Sequence, residues 1–82
     1  MATAIRLKES VVKTPGVCGG DACISGTRIP VWLLEFERRL GMTEVQLLQR
    51  HPSVSLESLC EAFSYAESNR NEIERQIAKN EG

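Results

Sequence analysis

The fold of this chain is decided by one stretch, Pro15-Gly16-Val17-Cys18-Gly19-Gly20-Asp21-Ala22-Cys23-Ile24-Ser25-Gly26-Thr27-Arg28-Ile29-Pro30-Val31. It contains four glycines, and because glycine adopts positive φ readily, the stretch is predicted to turn repeatedly. Cys23-Ile24 and Thr27-Arg28-Ile29 flank Ser25-Gly26, a pattern typical of a tight hairpin. Pro30 then stands where a first helical residue is favoured. The stretch therefore predicts a small β element that ends where a helix begins.

Upstream of this stretch the chain contains two short extended segments. Ile5-Arg6-Leu7-Lys8 alternates apolar and basic residues, which predicts an edge strand. Val11-Val12 is β-branched, and Thr14-Pro15-Gly16 ends it. Residues 1–29 are therefore predicted to form an N-terminal β and turn element.

The first two predicted helices follow Pro30. Residues 31–40 carry apolar side chains at helical spacing, with Glu35 on the opposite face, and Gly41 ends the helix. The second helix covers residues 44–50, and Thr43 and Gln46 form its capping box. We expect this short helix to bury two apolar side chains, those of Val45 and Leu48.

The third and fourth predicted helices follow the break at His51-Pro52. Ser55 caps the third helix, whose apolar face is predicted to consist of Leu56, Leu59, Cys60, Phe63 and Ala66. Asn71 is predicted to cap the last helix, which runs from Glu72 to about Lys79. Residues 30–69 thus form a tri-helical unit with helix-turn-helix dimensions, and residues 70–82 form a C-terminal helix and tail. The predicted fold is a single, mainly α domain over residues 1–82.

Composition limits the possible function. The 82 residues are 41% hydrophobic and 26% charged, which is typical of a globular domain. No apolar run approaches the ~20 residues of a membrane span, and no apolar signal segment is present, so we expect a cytoplasmic protein without membrane contact. No nucleophile–base pair, carboxylate pair or phosphate loop occurs at a recognisable spacing, so we expect no enzyme activity and no cofactor.

Charge is divided unevenly along the chain. The formal net charge is −1, yet residues 1–50 carry a net charge of +2 and residues 51–82 a net charge of −3. This asymmetry favours nucleic acid as a partner of the first part rather than of the second.

The three cysteines are Cys18, Cys23 and Cys60. An odd count argues against a secreted disulfide framework. The three thiols and the single His51 lack the spacing of a zinc site, so we expect no metal. Cys18 and Cys23 share the glycine-rich turn region and could approach each other.

Four segments together resemble the pattern of a prokaryotic family. They are residues 15–31, Gly41-Met42-Thr43-Glu44, His51-Pro52-Ser53-Val54-Ser55-Leu56-Glu57 and Ala62-Phe63-Ser64-Tyr65-Ala66. In this order and spacing they resemble the domain-of-unknown-function family numbered four-three-three, over about residues 11–77. Two positions depart from its pattern: Ala22 stands where the family usually has proline, and Cys23 where it often has a small or β-branched residue.

The resemblance implies a homeodomain-like tri-helical helix-turn-helix unit behind a small N-terminal β-hairpin element. It also implies an antitoxin of a type II toxin–antitoxin pair, which neutralises a PIN-like ribonuclease toxin and binds operator DNA. The residues leave two other functions open: a stand-alone DNA-binding regulator, and a protein-interaction module without a nucleic-acid role.

The third helix is a poor candidate for DNA contact. Its predicted outer face carries Glu57 and Glu61, which would be repelled by phosphates, and no lysine or arginine offsets them. The DNA-binding candidates are instead Arg6, Lys8, Lys13 and Arg28. For Arg28 the alternative is a local ion pair with Asp21 or Glu35.

The last helix supplies the toxin-binding candidates, Glu72, Ile73, Glu74 and Ile77, because a short helix gains order by docking into a groove. The alternative is that Ile73 and Ile77 pack on the chain's own core. We also expect a homodimer formed partly through the N-terminal strands, whose edges would otherwise be unpaired.

Overall fold

Three short strands are followed by four helices in the computed structural model, which describes residues 4–81. The strands are β1 (Ile5–Lys8), β2 (Val11–Lys13) and β3 (Cys23–Ile24). The helices are α1 (Val31–Arg39), α2 (Glu44–Arg50), α3 (Leu56–Ser68) and α4 (Arg70–Glu81). The mainly helical class with an N-terminal β element, predicted from the sequence, is confirmed.

The strands form an antiparallel sheet in the order β1-β2-β3. Between Arg6 and Lys8 the register of β1 shifts against β2, which marks a bulge at this edge. The predicted tight turn after β3 is present, because the Thr27 N–H donates to the Ile24 carbonyl at 3.0 Å. Gly26 has a φ of 78° in this turn, a conformation that favours glycine. The second arm of the predicted hairpin, Thr27-Arg28-Ile29, does not form a strand, and only an isolated bridge joins Cys23 to Pro30. The sheet instead pairs β3 with the two upstream segments, which were predicted to be extended.

Both predicted caps of the second and third helices are confirmed. The Thr43 hydroxyl accepts from the Gln46 N–H at 3.2 Å, and the Gln46 side chain accepts from the Thr43 N–H at 2.9 Å. The Ser55 hydroxyl accepts from the Ser58 N–H at 3.0 Å. These local signals are sufficient to place the start of α2 and of α3.

The predicted start of the last helix is wrong. The Ile73 N–H already donates to the Asn69 carbonyl at 3.1 Å, so α4 begins at Arg70 and Asn71 lies inside it. Only one residue, Asn69, separates α3 from α4.

The buried faces of the helices also differ from the prediction. In α2 the core residue is Leu47, while Val45 is 63% exposed and Leu48 is only partly buried. In α3 the side chains of Leu56 and Cys60 are exposed. The residues of α3 that lie in the core are Leu59, Ala62, Tyr65 and Ala66. Neighbouring helices select these faces, because a short helix offers several apolar side chains pointing in different directions.

The core lies where α1 crosses α3 and α4, with β2 and β3 covering one side. Its largest fully buried side chains include Leu34, Leu47, Leu59 and Ile73. Two carboxylates of α1 are buried beside this core, those of Glu35 and Glu37, each 5% exposed. The sequence pattern predicts Glu35 on the solvent face, and this prediction is wrong. Its burial is compensated by hydrogen bonds from Arg38 and Arg39.

Candidate functional site

A groove of about 540 Å³ opens between the α1–α2 junction and the α3–α4 junction. Its floor is apolar and consists of Met42, Leu47, Phe63 and Ala66. Met42 and Phe63 are only partly buried, so the floor is accessible from outside. We call this feature the arginine groove, after its rim.

The rim of the arginine groove carries both signs of charge. Three arginines and three glutamates line it, namely Arg38, Arg39, Arg70, Glu35, Glu44 and Glu67. A concave surface with an apolar floor and a few placed charged groups is typical of a binding site.

Glu35 holds two of the rim arginines in place. Its carboxylate accepts hydrogen bonds from Arg38 Nε and Nη2 at 2.8 to 3.1 Å, and from Arg39 Nε at 2.8 Å. The Arg38 guanidinium also lies 5.2 Å from the centre of the Phe63 ring, within cation–π range. The rim therefore has a defined geometry although its side chains are partly exposed.

Arg39 is shared between two helices. Besides Glu35 it pairs with Glu74 of α4, with 2.5 Å between Nη1 and the carboxylate oxygen. Its hydrogen bonds to Glu35 and then to Glu74 raise the pKa of Arg39. Arg70, in contrast, is exposed and makes no ion pair with any of residues 4–80, so its charge is available to a partner.

The four DNA-binding candidates are spread over the N-terminal β element, in which β1 and β3 are the two edges of the sheet. Arg6 and Lys8 lie on the edge strand β1, where Arg6 Nη1 donates to the Glu9 carbonyl at 2.5 Å. Lys13 at the end of β2 pairs with Glu72 of α4 at 3.2 Å. Arg28 is exposed in the turn after β3.

The alternative ion pair for Arg28 is not formed. Asp21 instead accepts from the Gln76 side chain at 3.2 Å, and Glu35 pairs with Arg38 and Arg39. The structure thus leaves Arg28 at the surface, whereas Lys13 is engaged within the fold.

The toxin-binding candidates of α4 mostly make contacts within this chain. Ile73 and Ile77 are 1% and 6% exposed and lie in the core, as the alternative interpretation has it. Glu72 accepts from the Tyr65 hydroxyl at 2.8 Å and pairs with Lys13. Glu74 is bound to Arg39. Ile73 and Ile77 are therefore not accessible to a toxin, because their own chain covers them.

The outer face of α3 is acidic, as its sequence indicates. Glu57 and Ser64 are exposed there. Glu61 is half-buried. Its carboxylate accepts a hydrogen bond from the Ser10 N–H at 2.7 Å, and this bond connects the β1–β2 turn to α3. Among residues 4–81 no helix has the length and apolar character needed to cross a membrane.

The comparison with protein families agrees with the pattern of the chain. A model of the family described as "Protein of unknown function (DUF433)" matches residues 11–66. This chain belongs to the DUF433 family. The resemblance inferred from the glycine-rich stretch and the later segments is thereby confirmed.

Two related proteins are similar to this DUF433 chain. An uncharacterized protein, y4eO, from Sinorhizobium fredii (strain NBRC 101917 / NGR234) is 32% identical over 62 residues. That match covers 76% of this chain but only 28% of the relative's length. The crystal structure of a DUF433 member protein from Anabaena variabilis ATCC 29413 superimposes with a TM-score of 0.83 and 44% identity, over 88% of this chain and 71% of that chain.

Sequence reasoning missed the arginine groove and a second buried carboxylate of this DUF433 chain. Glu37 pairs with Arg50 at 2.6 Å and with His51 Nε2 at 2.7 Å, across the α1–α2 contact. Neither pairing has a sequence signal, because 13 and 14 residues separate the partners. The groove has a partial signal only: Glu35 stands three and four residues before Arg38 and Arg39, the spacing of helical ion pairs.

Proposed function

We propose that this DUF433 chain is an antitoxin-like protein that binds a PIN-like ribonuclease toxin through the arginine groove. The observation that carries the proposal is the accessible apolar floor beneath a preorganised rim of both charges. Arginine and aromatic side chains are enriched among the residues that dominate protein–protein binding energy. The family resemblance supplies the class of partner, and the groove supplies the surface.

The occupant we propose is a segment of the toxin with one apolar side chain and a nearby carboxylate. The apolar side chain would contact Met42 and Phe63, and the carboxylate would pair with Arg70. Arg70 is the suitable anchor because Arg38 and Arg39 already have acidic partners. The groove is chosen over α4 because the apolar residues of α4 face the core.

The proposed function includes operator DNA, contacted by Arg6, Lys8 and Arg28 of a homodimer. Two observations support this assignment: these side chains are exposed or half-exposed, and the outer face of α3 is acidic. The chain has a net charge of −1 and few basic residues. A second copy would double the number of cations in contact with the phosphates and so strengthen binding to DNA. The exposed apolar side chains of β1, Ile5 and Leu7, favour this strand as part of the dimer contact.

The experiment co-expresses this chain with a candidate PIN-like ribonuclease sought among the genes that flank its own, and measures both co-purification and RNA cleavage by that ribonuclease. We expect a stoichiometric complex and loss of cleavage when this chain is in excess. Arg70→Glu is expected to weaken the complex about 10-fold or more, which corresponds to about 1.4 kcal/mol. Lys79→Glu is the matched control, since Lys79 is an exposed cation of the same helix outside the groove.

Two outcomes would contradict the proposal in different ways. A toxin that stays active in an excess of this chain excludes neutralisation altogether. Equal weakening by Arg70→Glu and Lys79→Glu leaves neutralisation intact but excludes the arginine groove as its site. If the chain shifts operator DNA but binds no toxin, the stand-alone regulator becomes the function.

A further inference from the structure

A second pocket lies on the face of the sheet that points away from the helices. Val11 and Ile24, which are partners across β2 and β3, lie in the core. Successive side chains of a strand point to opposite faces, so Val12 and its partner Cys23 lie on the outer face. Both are nonetheless buried, at 9% and 1% exposed, and neither belongs to the core between the helices. Segments outside the sheet therefore cover this face.

Two turns cover the outer face and leave a pocket of about 360 Å³. The first turn contributes Val17, whose N–H donates to the Thr14 carbonyl at 3.0 Å. The turn after β3 contributes residues 26–28, and the Cys23 thiol donates to the Thr27 carbonyl of this turn at 3.8 Å. Ligand-binding pockets typically have volumes of roughly 300 to 1,000 Å³. We call this feature the sheet pocket.

The walls of the sheet pocket are largely apolar. Val12, Val17 and Cys23 line it. Burial raises the pKa of the Cys23 thiol to about 11, so this thiol is neutral at pH ~7 and does not repel an anion. The Thr27 hydroxyl donates its one proton to the Ile24 carbonyl at 2.8 Å and therefore offers no donor to a ligand. The walls thus suit a short aliphatic chain.

The charge at the edge of the sheet pocket is positive. Among residues 4–80, Arg28 is the one charged side chain that lines the pocket, and it is exposed and makes no ion pair within that range. Arg6 adds a second cation on the same outer face, because it is the cross-strand partner of Val12. An apolar pocket with an unpaired guanidinium at its edge is complementary to an anion that carries an apolar group.

We propose that the sheet pocket binds a small carboxylic acid with a short branched aliphatic chain. The chain contacts Val12 and Val17, and the carboxylate pairs with Arg28. A guanidinium binds both oxygens of a carboxylate through two parallel hydrogen bonds, so one arginine is sufficient for this group. A phosphate would need further donors, which the Thr27 hydroxyl does not supply.

The sheet pocket is separate from the arginine groove, with which it shares no residue. Binding of the acid is therefore independent of the proposed toxin contact. Arg6 and Arg28 also belong to the proposed DNA surface, so a bound acid would compete with operator phosphates for these two cations. Acid binding itself requires neither DNA nor toxin, and its test uses the protein alone.

The test titrates the isotope-labelled full chain with isocaproate at constant ionic strength and follows its amide signals by NMR. We expect saturable shifts within residues 12–28 and a dissociation constant on the order of 1 mM, which is typical of so small a ligand. Isocaproamide has the same shape without the charge, and inorganic phosphate has charge without the chain. Both should bind at least about 10-fold more weakly. Equal binding of either compound would overturn the proposal.

Arg28→Ala should weaken isocaproate binding by about 10-fold, because the charged hydrogen bonds are removed. Arg75→Ala is the matched control and should bind as the wild type does, since Arg75 is an exposed arginine of α4 outside the sheet pocket. Unchanged binding by Arg28→Ala would exclude the carboxylate contact and overturn the proposal. Shifts centred on Met42, Phe63 and Arg70 would place the acid in the arginine groove, which also overturns it.

Discussion

The buried Glu37 carboxylate accepts a hydrogen bond from His51 Nε2 at 2.7 Å, and this contact joins α1 to the end of α2. Because a carboxylate can only accept hydrogen bonds, the Nε2 atom of His51 must carry the proton in this contact. The second oxygen of Glu37 accepts from Arg50 Nε at 2.6 Å. One carboxylate thus connects the first helix to the turn that precedes α3.

We expect Glu37→Gln to lower the free energy of unfolding by about 2 to 3 kcal/mol, because the charge is lost and one of the two accepting oxygens becomes an NH2 group that cannot accept from Arg50 or His51. Urea unfolding measures this change. Arg50→Gln is the matched control and should cost under about 1 kcal/mol, because Arg50 is exposed and exposed ion pairs contribute little. An equal loss in both variants would show that the Arg50 pair, rather than burial of Glu37, sets the stability.

Alkaline pH should destabilise the protein through Tyr65. Burial raises the pKa of Tyr65, and the hydrogen bond to the Glu72 carboxylate adds to this. The unfolded chain releases the phenolic proton near pH ~10, whereas the folded chain retains it to higher pH. The stabilisation is therefore fully present below pH ~10 and is lost as pH rises above it.

The Tyr65→Phe variant isolates this contribution. At neutral pH it should be less stable by about 1 kcal/mol, because one buried hydrogen bond is removed. Between pH ~9 and ~11 its stability should decline less steeply than that of the wild type, because it has no phenol to ionise. The remaining decline is expected from Cys23, whose raised pKa acts in the same direction. Parallel curves for the two proteins would contradict the role of Tyr65.

The burial of Ile73 predicts a large effect in a helix that is mostly polar in sequence. Ile73→Ala should reduce the free energy of unfolding by about 2 to 4 kcal/mol, through reduced apolar burial and a cavity. Val45→Ala removes an exposed branched side chain and should change stability by less than about 0.5 kcal/mol. Guanidinium unfolding compares the two. A small effect of Ile73→Ala would mean that α4 detaches from the core in solution.

The proposed DNA contacts predict a specific salt dependence. Replacement of Arg6, Lys8 or Arg28 by alanine should weaken operator binding. It should also reduce the slope of log affinity against log salt by about one for each cation–phosphate pair that the substitution removes. In a homodimer each substitution removes the pair twice. Fluorescence anisotropy over a range of salt concentrations measures both quantities.

The control for these DNA variants is Glu57→Gln on the exposed face of α3. If α3 lies away from DNA, this variant should change affinity little. A clear gain in affinity would instead place α3 against the phosphates and contradict the assignment of the DNA-binding surface to the sheet.

Local signals allow much of the fold to be predicted. Thr43 and Ser55 satisfy backbone donors within three residues, so their side chains specify where α2 and α3 begin whatever the rest of the chain does. Gly26 likewise provides the positive φ of its turn. The family follows from the same stretch, because its glycines and the residues around Thr27 stand at a characteristic spacing.

The candidate site was decided by tertiary structure. Whether Glu35 and Glu37 face water or the core depends on how α1 rotates against α3 and α4. The arginines that compensate their charge come partly from other elements. Ile73 is apolar in the sequence, but only the packing of α4 on α1 shows that it is covered by its own chain.

The sequence by itself determined the starts of α2 and α3, the turn at Gly26 and the family, because these depend on neighbours a few residues away. The orientation of the helices, the buried carboxylates and the arginine groove depend on interactions between distant residues, and only the three-dimensional packing specifies those.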